Sequence, residues 1–463
     1  MFARTTAVAS LCITVVLSAC SAPDAATSSA RDEAPFVQQT FTYKTVGGER
    51  LEADVYRAED QLARPVLVWI HGGALMRGTR ANPPYRLLDL CRISGCVLVS
   101  IDYRLAPNEE LPTIIEDLED VFAWIRNDGP GLFAADTDRI VVSGGSAGGY
   151  LTLASGHRVR PRPSALVSYW GYGALNTFDA EPSEWYRTFR LVSEEEAWSE
   201  GGPLYLYLRQ QGLWTHVVSG FDPVTEAEQL TEYAPIENVT ADYPPTLLIH
   251  GTADNDVPVE ESVTMAEELA RHGVAHELIL LSESGHGLGG GDPALESDAH
   301  NSAVAFIHRH LFGEARSAEI EPLLQAFTLI QEASTLAGQG NIAEAKDAYS
   351  DALSLEPRLP QKAWMSNRLC RQGGLWGQAA EVLSECDRAV DLTTNPSAGI
   401  LDSRALVRAL TGDIEGAMDD LEAVLDVRAN EDAWREMRQG WLTALRAGEN
   451  PYTSELLKSL RDQ

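Results

Sequence analysis

The sequence predicts an α/β fold in which an eight-stranded, mostly parallel sheet with an inserted cap precedes an all-α region of helical repeats. Three observations support this prediction. Short apolar runs alternate with helical segments up to about residue 313. A glycine-rich turn follows one of these runs, and beyond about residue 316 helical patterns follow one another without strands. A chain of 463 residues is long enough for two or three domains.

Eight apolar runs predict the strands of the sheet. The first two are joined by a Gly-Gly turn, which indicates an opening antiparallel hairpin. The later runs are apolar throughout, as expected for parallel strands covered on both faces. In chain order the runs are FTYKTV, LEADVYR, PVLVWI, CVLVSI, RIVVSG, ALVSYW, PTLLIH and HELILL.

The connection at about residues 171–242 is much longer than a crossover helix requires. We interpret it as a cap over the carboxyl edge of the sheet, within a catalytic domain predicted to span residues 39–314. The cap is rich in aromatic side chains, which either pack the cap or contact a substrate. They are Trp185, Tyr186, Trp198, Tyr205, Tyr207 and Trp214.

Residues 318–463 contain a pattern repeated three times, each copy beginning at a glycine: Gly340, Gly377 and Gly412. The first copy, from Gly340 to Pro357, resembles a tetratricopeptide repeat. Stacked helical pairs present a concave surface, so we expect this region to bind a protein partner or a second copy of the chain. The alternative is a helical bundle with no binding role.

The N-terminus has the features of an export signal, with a basic residue before a short apolar segment. Residues 17–20, Leu-Ser-Ala-Cys, resemble a bacterial lipobox, in which the cysteine is acylated. We therefore predict a signal peptide at 1–19, lipidation of Cys20 and a flexible tether at 20–38. The resemblance implies an exported protein anchored by lipid in the bacterial envelope, at the outer membrane if the cell has one.

The chain is strongly acidic, with 36 basic and 68 acidic residues and a formal charge of −32. Such a surface repels phosphate backbones, so nucleic acid is not an expected partner. Beyond the N-terminal segment, four cysteines remain, and export would allow them to be oxidised. Cys91 with Cys96, and Cys370 with Cys386, are close enough to bridge or to remain as buried thiols.

Ser146 lies in the sequence GGSAGG, between a buried strand and a helix. Small neighbours in that setting allow a strained turn that exposes the serine hydroxyl, as in a nucleophile elbow. A serine becomes a useful nucleophile only when a base removes its proton, so histidine and acid partners are required.

Asp254 and His286 supply these partners. Each follows a predicted strand, and the order serine, acid, histidine is that of α/β hydrolases. Asp256, in the same loop as Asp254, is interpreted as a cap of the following helix. Acyl transfer also requires donors for the oxyanion. The backbone N–H groups of Gly72, Gly73, Ala74 and Ala147 are the candidates.

The motifs HGGA, IDYRLAP, GGSAGG, HGTADNDVP and SGHG occur in this order over residues 40–313. Together they resemble the hormone-sensitive-lipase-like branch of the α/β-hydrolase esterases. The resemblance implies an α/β-hydrolase fold. It makes Ser146 the nucleophile, His286 the base and then the acid, and Asp254 the residue that orients His286. By the same resemblance Gly73, Ala74 and Ala147 bind the oxyanion.

Two further statements follow from this resemblance. Asp102 and Arg104, in IDYRLAP, are expected to brace the oxyanion loop. The family usually has glycine at the position of Ala74. Alanine keeps its N–H, so we expect the oxyanion hole to be retained provided that Ala74 has a negative φ.

The leading hypothesis is a serine carboxylic ester hydrolase that acts on short-acyl esters through an acyl-enzyme, with no cofactor or metal. One alternative is a serine peptidase of the prolyl-oligopeptidase kind, which has the same triad order. Another is a non-catalytic protein that interacts through its repeats.

Overall fold

The computed structural model describes residues 34–175, 182–427 and 432–462. The predicted signal peptide, Cys20 and most of the predicted tether lie outside these residues. The last three residues assigned to the tether are not a linker, because the first strand begins at Phe36. Phe36 pairs with Ala58 of the second strand, so backbone hydrogen bonding extends the hairpin beyond the apolar run seen in the sequence.

The sheet has eight strands in the order β1-β2-β4-β3-β5-β6-β7-β8, which confirms the predicted fold class. β2 runs antiparallel to β1 and β4, and all other neighbours are parallel. The strands are β1 (Phe36–Val46), β2 (Glu49–Ala58), β3 (Arg64–Ile70), β4 (Val97–Ile101), β5 (Ala135–Gly145), β6 (Ala165–Tyr169), β7 (Thr246–Gly251) and β8 (His276–Leu281).

Helices cover both faces of the sheet and also form the inserted cap. Those of the sheet region are α1 (Tyr85–Ser94), α2 (Leu111–Asn127), α3 (Gly129–Phe133), α4 (Ala147–Arg158), α5 (Glu194–Ala197), α6 (Leu204–Gln211), α7 (Trp214–Ser219), α8 (Ala227–Leu230), α9 (Glu260–Arg271) and α10 (Pro293–Phe312). Those that follow are α11 (Glu321–Gly338), α12 (Ile342–Leu355), α13 (Ala363–Leu375), α14 (Ala379–Asp391), α15 (Ala398–Thr411), α16 (Ile414–Val427), α17 (Asp432–Arg446) and α18 (Ser454–Arg461). In the described part of the chain, no helix is both long and apolar enough to cross a membrane.

The C-terminal helices pack as antiparallel neighbours, α11 with α12, α13 with α14, and α15 with α16. Gly340, Gly377 and Gly412 form the turns inside these pairs, and each has a positive φ that a larger residue adopts only at a cost. Disulfide bonds join Cys370 to Cys386 within one pair, and Cys91 to Cys96 between α1 and β4. Both pairings that the sequence left open are therefore present.

The two faces of the sheet contribute to different cores. Val68 and Val142 pack with α2 and α4, whereas Leu67 and Val141 lie in a core shared with α1 and α10. This second core continues without a break into the C-terminal helices and includes Phe327.

A buried ion pair reinforces the contact between the sheet region and the C-terminal helices. Lys362 Nζ, just before α13, lies 2.6 Å from Asp89 Oδ2 on α1. Leaving one buried charge without its partner typically costs about 3 to 5 kcal/mol. The C-terminal helices are therefore packed onto the sheet region through both apolar and charged contacts.

Candidate active site

Ser146 stands at the turn between β5 and α4, where the backbone is strained. Its φ of 56° is unusual for a residue other than glycine. The Ser146 N–H donates to the Tyr169 carbonyl at 2.9 Å, and the Ser146 carbonyl accepts from the Tyr150 N–H. A Cβ on Gly148 would lie 2.1 Å from the Ile70 carbonyl oxygen, so only glycine allows this approach. The turn predicted as a nucleophile elbow has that geometry.

The structure brings together the three residues predicted to form a triad. His286 Nε2 lies 3.0 Å from Ser146 Oγ, and His286 Nδ1 lies 2.8 Å from Asp254 Oδ2. They lie within hydrogen-bonding distance although each comes from a different loop at the carboxyl edge of the sheet. The arrangement is that of a nucleophile, a general base and an orienting acid.

The Asp254 carboxylate is fully buried and held on several sides. Its Oδ1 accepts the N–H groups of Asp256 and Val257 at 2.8 and 2.9 Å. His250, at the end of β7, contributes a third contact through Nε2, at 3.3 Å from Asp254 Oδ2. Sequence reasoning gave His250 no part in the site. The sequence feature that could have indicated this contact is that His250 lies four residues before Asp254.

Asp256 does not cap the following helix, and that interpretation was wrong. Its Oδ1 accepts three hydrogen bonds from the inserted segment, from Tyr205 at 2.6 Å, Arg209 at 2.7 Å and Tyr186 at 2.8 Å. Its other oxygen lies 3.6 Å from His286 Nε2, the nitrogen that faces Ser146. The sequence did not reveal this link because the partners lie 47 to 70 residues away along the chain.

The carboxylates around His286 change the pKa of its imidazole. Burial opposes its protonated form, but the hydrogen bond that His286 donates to Asp254 and the charges of Asp256 and Asp254 outweigh burial and raise the pKa of His286. Burial likewise opposes the charged form of Asp254. Hydrogen bonds from His250 and His286 nevertheless hold the pKa of Asp254 well below its usual value. The pair is therefore set up to stabilise a positive imidazolium beside a negative carboxylate.

This electrostatic arrangement predicts the pH dependence of hydrolysis. His286 must be neutral to accept a proton. Because its pKa is raised, the neutral form predominates only at higher pH. We expect kcat/KM for nitrophenyl acetate to rise with pH through a pKa above about 6.5, the ordinary value for histidine. Asp256→Asn removes one nearby charge, so its pH–rate profile should shift to lower pH.

Asp351→Asn serves as the control in this comparison, because Asp351 is an exposed carboxylate on α12. Its profile should coincide with that of the wild type. An Asp256→Asn profile that does not move would contradict the predicted influence of Asp256 on His286.

The loop that carries the other candidate oxyanion donors packs directly against the elbow. A Cβ on Gly72 would lie 2.7 Å from the Gly145 carbonyl oxygen and 3.3 Å from Ser146 Cβ. Among the hydrogen bonds of the described residues, none uses the N–H of Gly73, Ala74 or Ala147. These groups are therefore available to an incoming oxyanion.

The expected negative φ of Ala74 was wrong. The φ angle is +57° at Ala74 and +60° at Leu75. Tertiary contacts hold this left-handed backbone. Trp214 Nε1 of the cap donates to the Ala74 carbonyl at 3.0 Å, and the Ala106 N–H donates to the Leu75 carbonyl at 2.9 Å. A left-handed alanine costs about 1 to 2 kcal/mol. The N–H of Ala74 is retained in this conformation.

Asp102 braces this loop, as the resemblance implied, whereas Arg104 does not. Asp102 accepts hydrogen bonds from the backbone N–H and the guanidinium of Arg80, which ends the loop. Arg104 instead forms a buried ion pair with Asp117 on α2, at 2.8 Å. The Arg104 side chain extends to the buried Asp117 carboxylate on α2 and, among the described residues, makes no contact that would brace the oxyanion loop.

A cavity of about 500 Å³ lies between the oxyanion loop and the cap, and it is bordered by Asp256, which is 3.6 Å from His286 Nε2. Tyr186 and Tyr205 line it together with Asp256, while Met76 and Arg77 form the opposite side. Two of the aromatic residues predicted in the cap therefore face this space. Trp214 is instead buried in the core, and Trp198 is exposed outside the cavity. Within the described ranges, no group of three or more acidic, histidine or cysteine side chains is arranged to hold a metal ion.

The strand order is that of the α/β-hydrolase fold. Residues 67–289 match a family model described as alpha/beta hydrolase fold, and residues 20–109 match one described as the carboxylesterase family. The sheet region thus has the α/β-hydrolase fold and is similar to both families.

Relatives of this domain include two proteins of Mycobacterium tuberculosis. Esterase LipC is 30% identical over 262 residues, which cover 55% of this chain and 61% of LipC. Probable carboxylic ester hydrolase LipM is 26% identical over 225 residues, which cover 48% of this chain and 49% of LipM. The matches thus span 61% of the length of LipC and 49% of that of LipM.

The solved structures to which the chain was matched include an esterase of Thermogutta terrifontis. It is 23% identical, covers 60% of this chain and 94% of its own, and aligns with a TM-score of 0.43.

Proposed function

We propose that this protein is a serine carboxylic ester hydrolase that acts on short-acyl esters through an acyl-enzyme. The observation that carries the proposal is the hydrogen-bonded series Ser146–His286–Asp254, with unused N–H groups of Gly73, Ala74 and Ala147 beside it. The esterases among the relatives support the same chemistry.

In the first half of the reaction, Ser146 Oγ attacks the ester carbonyl carbon while its proton passes to His286 Nε2. The N–H groups stabilise the oxyanion, each donor contributing about 10²- to 10³-fold in rate. The C–O bond to the alcohol then breaks, and His286 gives its proton to the leaving oxygen. Asp254 stabilises the imidazolium throughout.

In the second half, His286 takes a proton from a water molecule, whose oxygen attacks the acyl carbon. The bond to Ser146 breaks, and the serine recovers its proton from His286. The acid and the free enzyme are released. Every group in this cycle comes from the chain, the ester or water, so the proposed reaction requires no cofactor.

Two features of the site support a preference for short acyl groups. Ala74 adds a methyl group where the family usually has none, and the cap's Tyr186 and Tyr205 border the space beside the triad. The proposal can be tested with nitrophenyl esters from acetate to palmitate and with a fluorophosphonate that labels activated serines.

We expect the fluorophosphonate to be recovered on the peptide that contains Ser146, and turnover to fall steadily beyond butyrate. Assays with dipeptide and proline-containing amide substrates test the alternative that the protein is a serine peptidase. Cleavage of these amides at rates comparable to the acetate, or no label on Ser146, would reject the proposal.

We also propose that Cys20 is acylated and anchors the protein in the bacterial envelope. The lipobox-like residues 17–20 support this. A radioactive fatty acid supplied to an expressing bacterial host should label the wild type and not Cys20→Ala, since the variant lacks the acceptor thiol. Cys12→Ala, a cysteine inside the predicted signal peptide, is the matched control and should still be labelled. Equal labelling of the Cys20→Ala protein would refute the anchor.

We further propose that the C-terminal helical pairs bind a protein partner or a second copy of the chain, in the manner of tetratricopeptide repeats. The repeated glycine turns and the stacked pairs support this. Crosslinking and the oligomeric state of the purified protein are the relevant measurements.

A further inference from the structure

A second cavity, of about 490 Å³, lies on the other side of the sheet, where the hydrolase domain meets the C-terminal helices. Its aromatic lining comes from widely separated parts of the chain. Trp69 and Tyr85 belong to β3 and α1, Tyr169 and Trp170 to the end of β6, and Trp364 to α13. We call this space the aromatic cavity. Neither half of the chain forms it alone.

Trp170 connects the aromatic cavity to the candidate triad. Its ring packs on the residue before the nucleophile, because a Cβ on Gly145 would lie 3.1 Å from a ring carbon. The same ring meets the His286 imidazole edge to face, with 6.2 Å between the centroids. One side chain therefore forms a wall of the cavity and contacts the machinery of the active site.

The backbone of Trp170 is also strained. Its φ is +38°, a value that bulky residues rarely adopt. The Trp170 N–H is held by the Ile249 carbonyl at 2.6 Å. Strain of this kind persists where the surroundings impose it, and it is concentrated at functional sites.

Polar groups with unused hydrogen-bonding capacity also line the aromatic cavity. In residues 34–175, 182–427 and 432–462, the side chains of His300, Gln331 and Ser334 take part in no hydrogen bond. Glu296 lies 3.9 Å from His300. Arg86, the cation of the cavity, already binds Asn301 at 2.6 Å and Ser297 at 3.1 Å.

These groups present little net charge to a ligand. Burial lowers the pKa of His300 to about 4, so its imidazole is neutral near pH 7. Burial also raises the pKa of Glu296. Flat aromatic surfaces beside hydrogen-bond donors and acceptors suit a molecule with both apolar faces and several hydroxyl groups. A sugar ring has C–H faces that pack on aromatic rings and hydroxyls at its edge.

We propose that the aromatic cavity binds a neutral sugar residue of an acylated oligosaccharide while an ester group of the same molecule lies at Ser146. This inference rests on the proposed esterase function and specifies the alcohol part of its substrate. A fatty chain in the cavity would leave the polar side chains that line it without partners. A polyanionic glycan would be repelled by a chain of net charge −32.

Trp364 offers a direct test because it is 38% exposed at the rim and lies on the C-terminal side of the cavity. Trp376, 41% exposed on the same helical region but outside the cavity, is the matched control. Each is changed to alanine. The variants are assayed with partially acetylated xylo-oligosaccharide and with nitrophenyl acetate, which carries no sugar.

We expect Trp364→Ala to raise KM for the acetylated xylo-oligosaccharide about tenfold, because it removes an aromatic anchor. Its activity on nitrophenyl acetate should stay within about twofold of the wild type, and Trp376→Ala should match the wild type on both substrates. Calorimetric binding of unacetylated xylo-oligosaccharide should weaken in parallel for Trp364→Ala. Gln331→Ala, on α11, provides a second variant with the same expected pattern if Trp364→Ala does not fold.

Three results would overturn the inference. One is wild-type hydrolysis of nitrophenyl acetate without hydrolysis of the acetylated oligosaccharide. Another is an equal loss on both substrates in folded Trp364→Ala and Gln331→Ala. The third is no change in either variant. Wild-type protein inactive on both substrates would instead contradict the proposed esterase function itself, so the two failures are distinguishable.

Discussion

Replacing Ser146 with alanine is expected to lower kcat/KM for nitrophenyl acetate by about 10⁴- to 10⁶-fold. The variant loses the oxygen that forms the acyl-enzyme, and no other hydroxyl among the described residues hydrogen-bonds to His286 Nε2. The oxyanion donors and the binding cavity remain, so a small residual rate from these groups is expected. Steady-state kinetics of the purified variant provide the measurement.

The Ser146→Ala comparison requires proof that the fold is intact. Alanine preserves the Cβ of Ser146, which packs near Gly72, so the circular dichroism spectrum and melting temperature should match the wild type. Ser155→Ala, a buried serine on the same helix, is a control that should keep its activity. A folded Ser146→Ala protein with more than a few per cent of wild-type activity would contradict the assignment.

Replacing Asp254 with asparagine should lower kcat by about 10³- to 10⁴-fold. The amide removes the charge that stabilises the imidazolium. It can also present an N–H to His286 Nδ1, which favours the tautomer that cannot accept the Ser146 proton. The two backbone N–H groups that now bind Oδ1 can still bind the amide oxygen, so the loop should remain in place.

Asp256→Asn is the matched comparison, since it makes the same chemical change two residues away. Asp256 lies 3.6 Å from His286 Nε2, so it affects the charge of the base without orienting it. We expect a loss of about tenfold or less at neutral pH. Similar losses in both variants, measured under identical conditions, would show that the roles assigned to the two carboxylates are incorrect.

Several features of this protein were determined by local sequence. Each strand from β3 to β7 contains a short apolar run, as expected for strands that are covered on both faces. The triad was also predictable, because parallel strands bring the loops at their carboxyl ends to one edge. Ser146, Asp254 and His286 each follow such a strand, so their order along the chain was enough to place them together.

Other features depended on contacts between residues far apart in the sequence. Asp256 was misread because Tyr186, Tyr205 and Arg209 reach it only after the cap folds over the edge. The positive φ of Ala74 was missed because a cap tryptophan holds its carbonyl. Neither arrangement leaves a periodic pattern in the sequence, since each depends on side chains that meet across different elements.

The position of the C-terminal helices is the clearest case. Glycine spacing and apolar periodicity were sufficient to predict helical pairs, because a turn and an amphipathic face are properties of neighbouring residues. The surface onto which these pairs pack was decided by contacts such as Lys362 with Asp89, which are 273 residues apart. Only the folded chain brings Trp364 to the cavity that Trp170 lines. Local periodicity determines which face of a helix is apolar, whereas the partner that covers that face is determined by the packing of the whole chain.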